Sequence, residues 1–304
     1  MIEVTNLHKE YGGFVAVEGS SFSIDRGEVF GVVGHNGAGK TTTLKMLAGL
    51  IEPTNGSAIV AGHAAGESAM QRRLGFLPEQ SPLYEEMTPI TYLEFFADLY
   101  DVPRDVAEER IDDLLDRLDL EHRDRELGNM SKGMKRKVAI ARALVNDPDV
   151  LIFDEPASGL DPVTTNYILE FTRELADEGK TVVFSAHNLF HVESICDRLV
   201  IMSEGEIVAR GTIADIRSTY GGTSYHVSAS LADGDGAVDR EAIDAPVTSI
   251  ARENGDIRYV VRDMEGVDAV RGAVERAGGQ VTDIQTETPS LEQIFLEVAG
   301  EATA

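Results

Sequence analysis

The sequence predicts an α/β fold with an inserted helical block and a small α+β domain behind it. Three observations carry that prediction. Val29–Val33, Val150–Phe153 and Thr181–Phe184 are apolar throughout, as strands covered on both faces must be. A glycine-rich segment, Gly34–Thr41, follows the first of these strands and precedes a helical pattern. Between the first two strands, Tyr92–Arg142 reads mostly helical: Ile111, Leu114, Leu115 and Leu118 recur at i, i+3, i+4 and i+7 with charged residues between them.

Gly34–Thr41 reads G-H-N-G-A-G-K-T and fits the phosphate-binding loop, Gly, four residues, Gly-Lys-Ser/Thr. The helix after it places Leu44, Leu47, Ala48 and Ile51 on one face. In such a loop the backbone from Gly34 through His35, Asn36, Gly37, Ala38 and Gly39 curls so that its N–H groups face phosphate oxygens, and the helix start at Thr41 and Thr42 adds partial positive charge. Lys40 is expected to neutralise the β- and γ-phosphates, and the Thr41 hydroxyl to serve Mg²⁺. The motif in this context predicts a P-loop NTPase core that binds a nucleoside triphosphate.

Asp149–Glu155 reads D-V-L-I-F-D-E, an apolar strand that ends in two carboxylates. The pair alone would also suit an ordinary solvated acidic turn; beside a phosphate loop, Asp154 is expected to hold Mg²⁺ through a water. Glu155, facing another way by strand alternation, is expected to polarise an attacking water as general base. Leu199–Met202 and Glu206–Ala209 flank Ser203-Glu204-Gly205 and predict a hairpin. A break follows at residues 218–224, with Gly221-Gly222. Beyond it the chain has no Lys. Val267, Val270, Val274 and Ala277 mark a helix, Val281–Thr286 a strand, and Pro289 the start of a last helix with Leu291, Ile294, Phe295 and Val298. The expected domains are therefore 1–217, with its helical block at about 87–145, a linker at 218–224 and a small accessory domain at 225–304.

The chain of 304 residues carries 53 acidic against 27 basic residues, a formal charge of −26, with only seven Lys. The acids are dispersed rather than gathered in a tail. Dispersed carboxylate with little Lys suggests adaptation to molar salt, and so a halophile, because the Debye length shrinks from ~8 Å at physiological ionic strength to ~3 Å at 1 M; a merely acidic mesophile protein is the alternative. A nucleic-acid partner is disfavoured, since a phosphate backbone wants a basic face; the cluster Lys132, Lys135, Arg136 and Lys137 is read as serving its own segment or facing solvent. One cysteine, Cys196, excludes an intrachain disulfide and is expected to be a packed thiol. No apolar run approaches the ~20 residues of a membrane helix, which together with the absence of a signal core predicts a cytoplasmic chain. The seven histidines show no zinc-ligand spacing.

With these motifs in place, about the first 215 residues resemble the ATP-binding subunits of ABC transporters. Asn129–Lys137 (N-M-S-K-G-M-K-R-K) stands where the family's signature stands, Ser158-Gly159-Leu160-Asp161 is similar to its D-loop, His187 to its switch histidine, and Tyr11 to the aromatic that stacks on adenine. The signature departs from the common Leu-Ser-Gly-Gly-Gln, yet Ser131 and Gly133, the phosphate-touching positions, are retained. The family's Mg²⁺-binding Gln falls on Glu79, with Gln80 one step later, and either could serve. Both departures, and the ending Thr288–Phe295, resemble the subfamily that powers efflux of drugs, sodium or copper.

The resemblance implies an ATPase with ATP and Mg²⁺ as ligands. It implies a head-to-tail dimer with a second copy or a close homologue, each ATP held between one subunit's loop and the other's Ser131 and Gly133. His187 would brace the γ-phosphate and Asp161 would link the two sites. A separate membrane permease would dock on the helical block from Met87 to Asn129, placing the subunit at the inner face of the membrane. A soluble ABC-type ATPase acting as an assembly or regulatory module is the alternative.

Overall fold

The structure is a computed structural model and describes residues 1–222, 224–230, 243–253, 256–287 and 289–301. Thr223 of the expected linker, Thr288 of the chain ending, and residues 231–242, 254–255 and 302–304 of the expected accessory domain lie outside the described residues. The described chain forms two compact units, Met1–Ile213 and Ala214–Gly300.

The first unit opens with β1 (Ile2–Tyr11), β2 (Phe14–Ile24) and β3 (Val29–Gly34), then α1 (Lys40–Leu47). β4 (Asn55–Val60), β5 (His63–Ala64), α2 (Ser68–Gln71) and β6 (Leu74–Leu77) lead into the helical block of α3 (Pro89–Leu99), α4 (Arg104–Arg117) and α5 (Lys132–Leu144). The chain returns through β7 (Val150–Asp154), α6 (Pro162–Asp177), β8 (Thr181–Ala186), α7 (Leu189–Ile195), β9 (Arg198–Ser203) and β10 (Glu206–Gly211). α8 (Ile213–Tyr220) follows, so the first residues of the expected linker are helical.

One sheet runs β10-β9-β3-β8-β7-β6, parallel from β9 to β6, with β10 added as the antiparallel hairpin strand. All residues of β3, β7 and β8 are buried, as their unbroken apolar runs require. The other sheet, β2-β1-β4-β5, is antiparallel. Leu44, Met46 and Leu47 of α1 share one core with Ile2, Val4 and Val60 of the antiparallel sheet and with Phe30, Ile152 and Val183 of the parallel one. The helix that begins at the phosphate loop is thus clamped between two sheets.

In the helical block, α3 is started by a capping box between Thr88 and Thr91 with Pro89 in the first turn. The expected stripe of α4 is buried: Ile111, Leu114 and Leu115 face inward, and Leu118 closes the helix. Cys196 is buried, and burial pushes its thiol up, which makes it unreactive.

The second unit contains β11 (Ser224–Ser230), β12 (Val247–Glu253), β13 (Asp256–Val261), α9 (Met264–Arg276), β14 (Gln280–Glu287) and α10 (Leu291–Glu301). Its antiparallel sheet, β12-β13-β11-β14, carries α9 on one face. Val267, Val270 and Val274 pack on Val227, Tyr259 and Val261. Ala277 is exposed at the end of α9; the inward position in its last turn is Ala273.

Candidate functional site

Parallel pairing decides where the site lies. β3 and β8 are in register from Val29↔Val182 to Val33↔Ala186, and β7 and β8 from Val150↔Thr181 to Asp154↔Ser185. The carboxyl ends of three strands therefore share one edge of the sheet, the usual place for a ligand in an open α/β fold. The phosphate loop leaves β3 there, Glu155 leaves β7, and His187 leaves β8. β6 ends beside them, Leu77 pairing with Phe153, which brings Glu79 to the same edge.

A cavity of about 470 Å³ opens at this edge. It is lined by the loop from His35 to Thr42 and by Glu79, Glu155, Ser158 and His187, with Phe14 and Ala16 on the β2 side. Gly39 caps α1 at φ 101°, and a Cβ there would lie 2.6 Å from the Ala16 carbonyl oxygen, so only glycine fits. Lys40 is 6% exposed and donates to the carbonyls of Gly34 at 2.7 Å and His35 at 3.2 Å. Burial lowers its ammonium below the ordinary lysine range, opposed by Glu155, Asp154 and Glu79. A buried cation beside a glycine-rich loop at a helix start is a site suited to polyphosphate.

Glu155 departs from the expectation that strand alternation orients it. β7 ends at Asp154, and Glu155 takes a left-handed backbone, φ 49°. This turn, rather than the pleat, sends its carboxylate into the cavity. Oε1 lies 3.9 Å from Lys40 Nζ and Oε2 lies 2.8 Å from His187 Nδ1. Asp154 is 1% exposed and does not line the cavity; its Oδ1 accepts from Ser185 Oγ at 2.6 Å, and the same hydroxyl accepts from the Glu155 amide at 3.0 Å.

The other expected site residues fall elsewhere. Ser131 caps α5, its Oγ accepting from Met134 N at 3.2 Å. Asp161 caps α6, accepting from the amides of Val163 and Thr164, and those bonds, Thr164 first, hold its carboxyl below the usual range. The two helix starts adjoin: a Cβ on Gly133 would sit 3.1 Å from Thr164 Cγ2. Ser131, Gly133 and Asp161 do not line the phosphate-loop cavity. Tyr11 does not line it either; it is 48% exposed with Lys9 Nζ over its ring, and Phe14 supplies the aromatic wall. Gln80 lines a neighbouring hollow with Glu79, Lys132 and Lys135 rather than this one.

Three residues of the site were not singled out by sequence as site residues. Phe14 follows Gly12-Gly13 in the β1–β2 turn, and Ser185 is the one hydroxyl inside β8 past its first residue. Arg136, read with its cluster as serving its own segment or facing solvent, is 9% exposed, and its guanidinium meets backbone carbonyls under the site. The available signal was its place on the helix face that continues through Ile140 and Ala143, both buried.

The residues fit a nucleoside triphosphate with a divalent cation: loop amides and a buried lysine for phosphate, a hydroxyl and carboxylates for the metal, an aromatic for a base. Comparisons with known proteins agree. A family model described as ABC transporter matches residues 17–158, and one described as ATP-binding protein DrrA1-3-like, C-terminal domain, matches residues 211–299. The chain is 32% identical over 313 residues to the linearmycin resistance ATP-binding protein LnrL of Bacillus subtilis (strain 168), covering 99% of this chain and 98% of that one. A solved ATP binding subunit of an ABC transporter superposes with a TM-score of 0.67 at 36% identity, covering 72% of this chain and 93% of that one. The dimeric structure of MJ0796, a bacterial ABC transporter cassette, matches at TM-score 0.64 and 26% identity, covering 70% of this chain and 99% of that one.

Proposed function

This chain belongs to the ATP-binding subunits of ABC transporters and is an ATPase, and from that premise we propose that it drives export through a separate membrane permease. The observation that carries the reading is the convergence of Lys40, Glu155 and His187 on one cavity at the carboxyl edge of the parallel sheet. Export is supported by full-length similarity to a resistance ATP-binding protein and by the match of the second unit to a DrrA-like C-terminal domain. Among the described residues no helix is long and apolar enough to cross a membrane, and the transport path is assigned to the partner. Docking is assigned to the helical block between Met87 and Asn129, at the inner face of the membrane.

ATP supplies the bond to be cleaved, and Mg²⁺, when bound, neutralises charge that develops on the phosphates. Thr41 and Glu79 would hold the metal, with Asp154 behind them. Lys40 and the loop amides bind and orient the phosphates. Glu155 takes a proton from the attacking water. A carboxylate only accepts hydrogen bonds, so His187 Nδ1 donates to it and leaves Nε2 for the γ-phosphate side. Ser131 and Gly133 of a second copy, or of a close homologue, would cover the phosphates head to tail; similarity to a cassette solved as a dimer supports the pairing. The dispersed acidic charge supports a protein at home in molar salt.

The test is a tagged Glu155→Gln variant pulled from native membranes in molar KCl with ATP and Mg²⁺. Recovery of one polytopic membrane protein in stoichiometric amount is expected. Recovery of soluble partners only would replace export by an assembly role.

A further inference from the structure

Arg136 lies one and a half turns into α5, the helix that Ser131 caps. Its guanidinium donates to five backbone carbonyls. Nη1 reaches Pro78 O at 2.9 Å and Glu79 O at 3.1 Å, on the segment after β6. Nη2 reaches Asp154 O at 3.1 Å and Glu155 O at 2.8 Å, and Nε reaches Pro156 O at 2.7 Å, all on the segment after β7. Burial pulls this guanidinium down to about 10, against Asp154, which pulls it up. A buried cation is retained at a desolvation cost only where its donors are satisfied, and the planar fork of arginine can meet this many acceptors where lysine's three donors cannot.

We infer that Arg136 is a positioning residue for ATP hydrolysis: one guanidinium ties the Glu79 segment to the Glu155 turn and sets both carboxylates across the cavity. The inference rests on the reading of Glu155 as base. The clamp also holds Glu155 in its left-handed backbone, a conformation that non-glycine residues adopt only when their surroundings impose it. Because the clamp sits on α5, a displacement of the Ser131 end of that helix reaches both carboxylates together. Neither Arg136 nor its five acceptor oxygens needs to touch nucleotide for this to work.

The test compares full-length wild type, Arg136→Lys, Arg136→Ala and Glu155→Gln for turnover, nucleotide Kd with a fluorescent ATP analogue, and melting temperature. Both Arg136 variants should lose roughly 100-fold in kcat, the scale of an ångström misplacement, with Kd held near wild type. Methylguanidinium should restore part of the Arg136→Ala rate and none of the Glu155→Gln rate. Wild-type kcat in Arg136→Lys beside an inactive Glu155→Gln overturns the inference alone; wild-type turnover in Glu155→Gln overturns the base reading instead. A loss of Kd as large as the loss of kcat also overturns it. Should both Arg136 variants fail to fold, hydrogen exchange on the wild type decides: amides of residues 79–81 and of Glu155, Ala157 and Ser158 must open as one unit, and independent opening rejects the clamp.

Discussion

His187 Nδ1 lies 2.8 Å from Glu155 Oε2, joining the ends of β8 and β7 across the mouth of the phosphate-loop cavity. The Glu155 side chain is 10% exposed and that of His187 58%, so the carboxylate is held from within while the imidazole stays open to the cavity. The pair gives the proposed base a fixed orientation.

Replacing Glu155 by Gln keeps the shape and removes the proton acceptor. Turnover should fall by roughly 10²–10⁴-fold, while ATP affinity stays near wild type. Single-turnover hydrolysis and calorimetric binding on the same preparation check this, and normal hydrolysis would exclude Glu155 as base.

Glu79 lines the cavity and Gln80 does not. Glu79→Ala should raise the Mg²⁺ concentration for half-maximal turnover by roughly 10–100-fold, and Gln80→Ala should leave it in place. A Mg²⁺ titration of ATPase rate in each variant reads the difference. The reverse ranking would assign the metal to Gln80.

Gly75 in β6 faces the end of α5 at close range. A Cβ there would lie 2.0 Å from Ala143 O and 2.7 Å from Leu151 Cδ2. Neither backbone nor buried side chain can give way, so Gly75→Ala should destabilise the first unit by about 1–3 kcal/mol or more. Urea unfolding followed by circular dichroism gives the value; an unchanged midpoint would mean that α5 can move off β6 freely.

The charge of −26 predicts a response to salt. Structure should be lost as KCl falls below about 1 M, where screening of the surface carboxylates weakens. Melting temperatures measured from dilute to molar KCl test this, and a flat profile would show that the acidity has another cause.

The legible parts of the fold are those whose pattern is local. β3, β7 and β8 are unbroken apolar runs because both their faces are buried, and the α4 stripe stands out because its other face is charged. The antiparallel sheet was not legible. β1 and β2 shift register at Val4/Leu7, Leu7/Lys9 and Lys9/Glu10, with Asn6 at φ 47°, which breaks the alternation that marks a half-buried strand. Arg136 was hidden for another reason: among Lys132, Lys135 and Lys137 nothing sets a fourth cation apart, and only the packing of α5 on the two loops shows it inside.

By itself the sequence determined the phosphate loop and offered the paired carboxylates after an apolar strand, because each needs only its chain neighbours, whereas His187 was implied by the family resemblance and not by its local pattern. The tertiary structure alone decided that Lys40, Glu79, Glu155 and His187 share one cavity, and that Phe14 rather than Tyr11 walls it. The reason is physical. Parallel strands joined by buried helices set their carboxyl ends on one edge, and the segments that leave those ends carry the four side chains into one place. Such alignment is imposed by packing between segments far apart in the chain, and no local pattern records it.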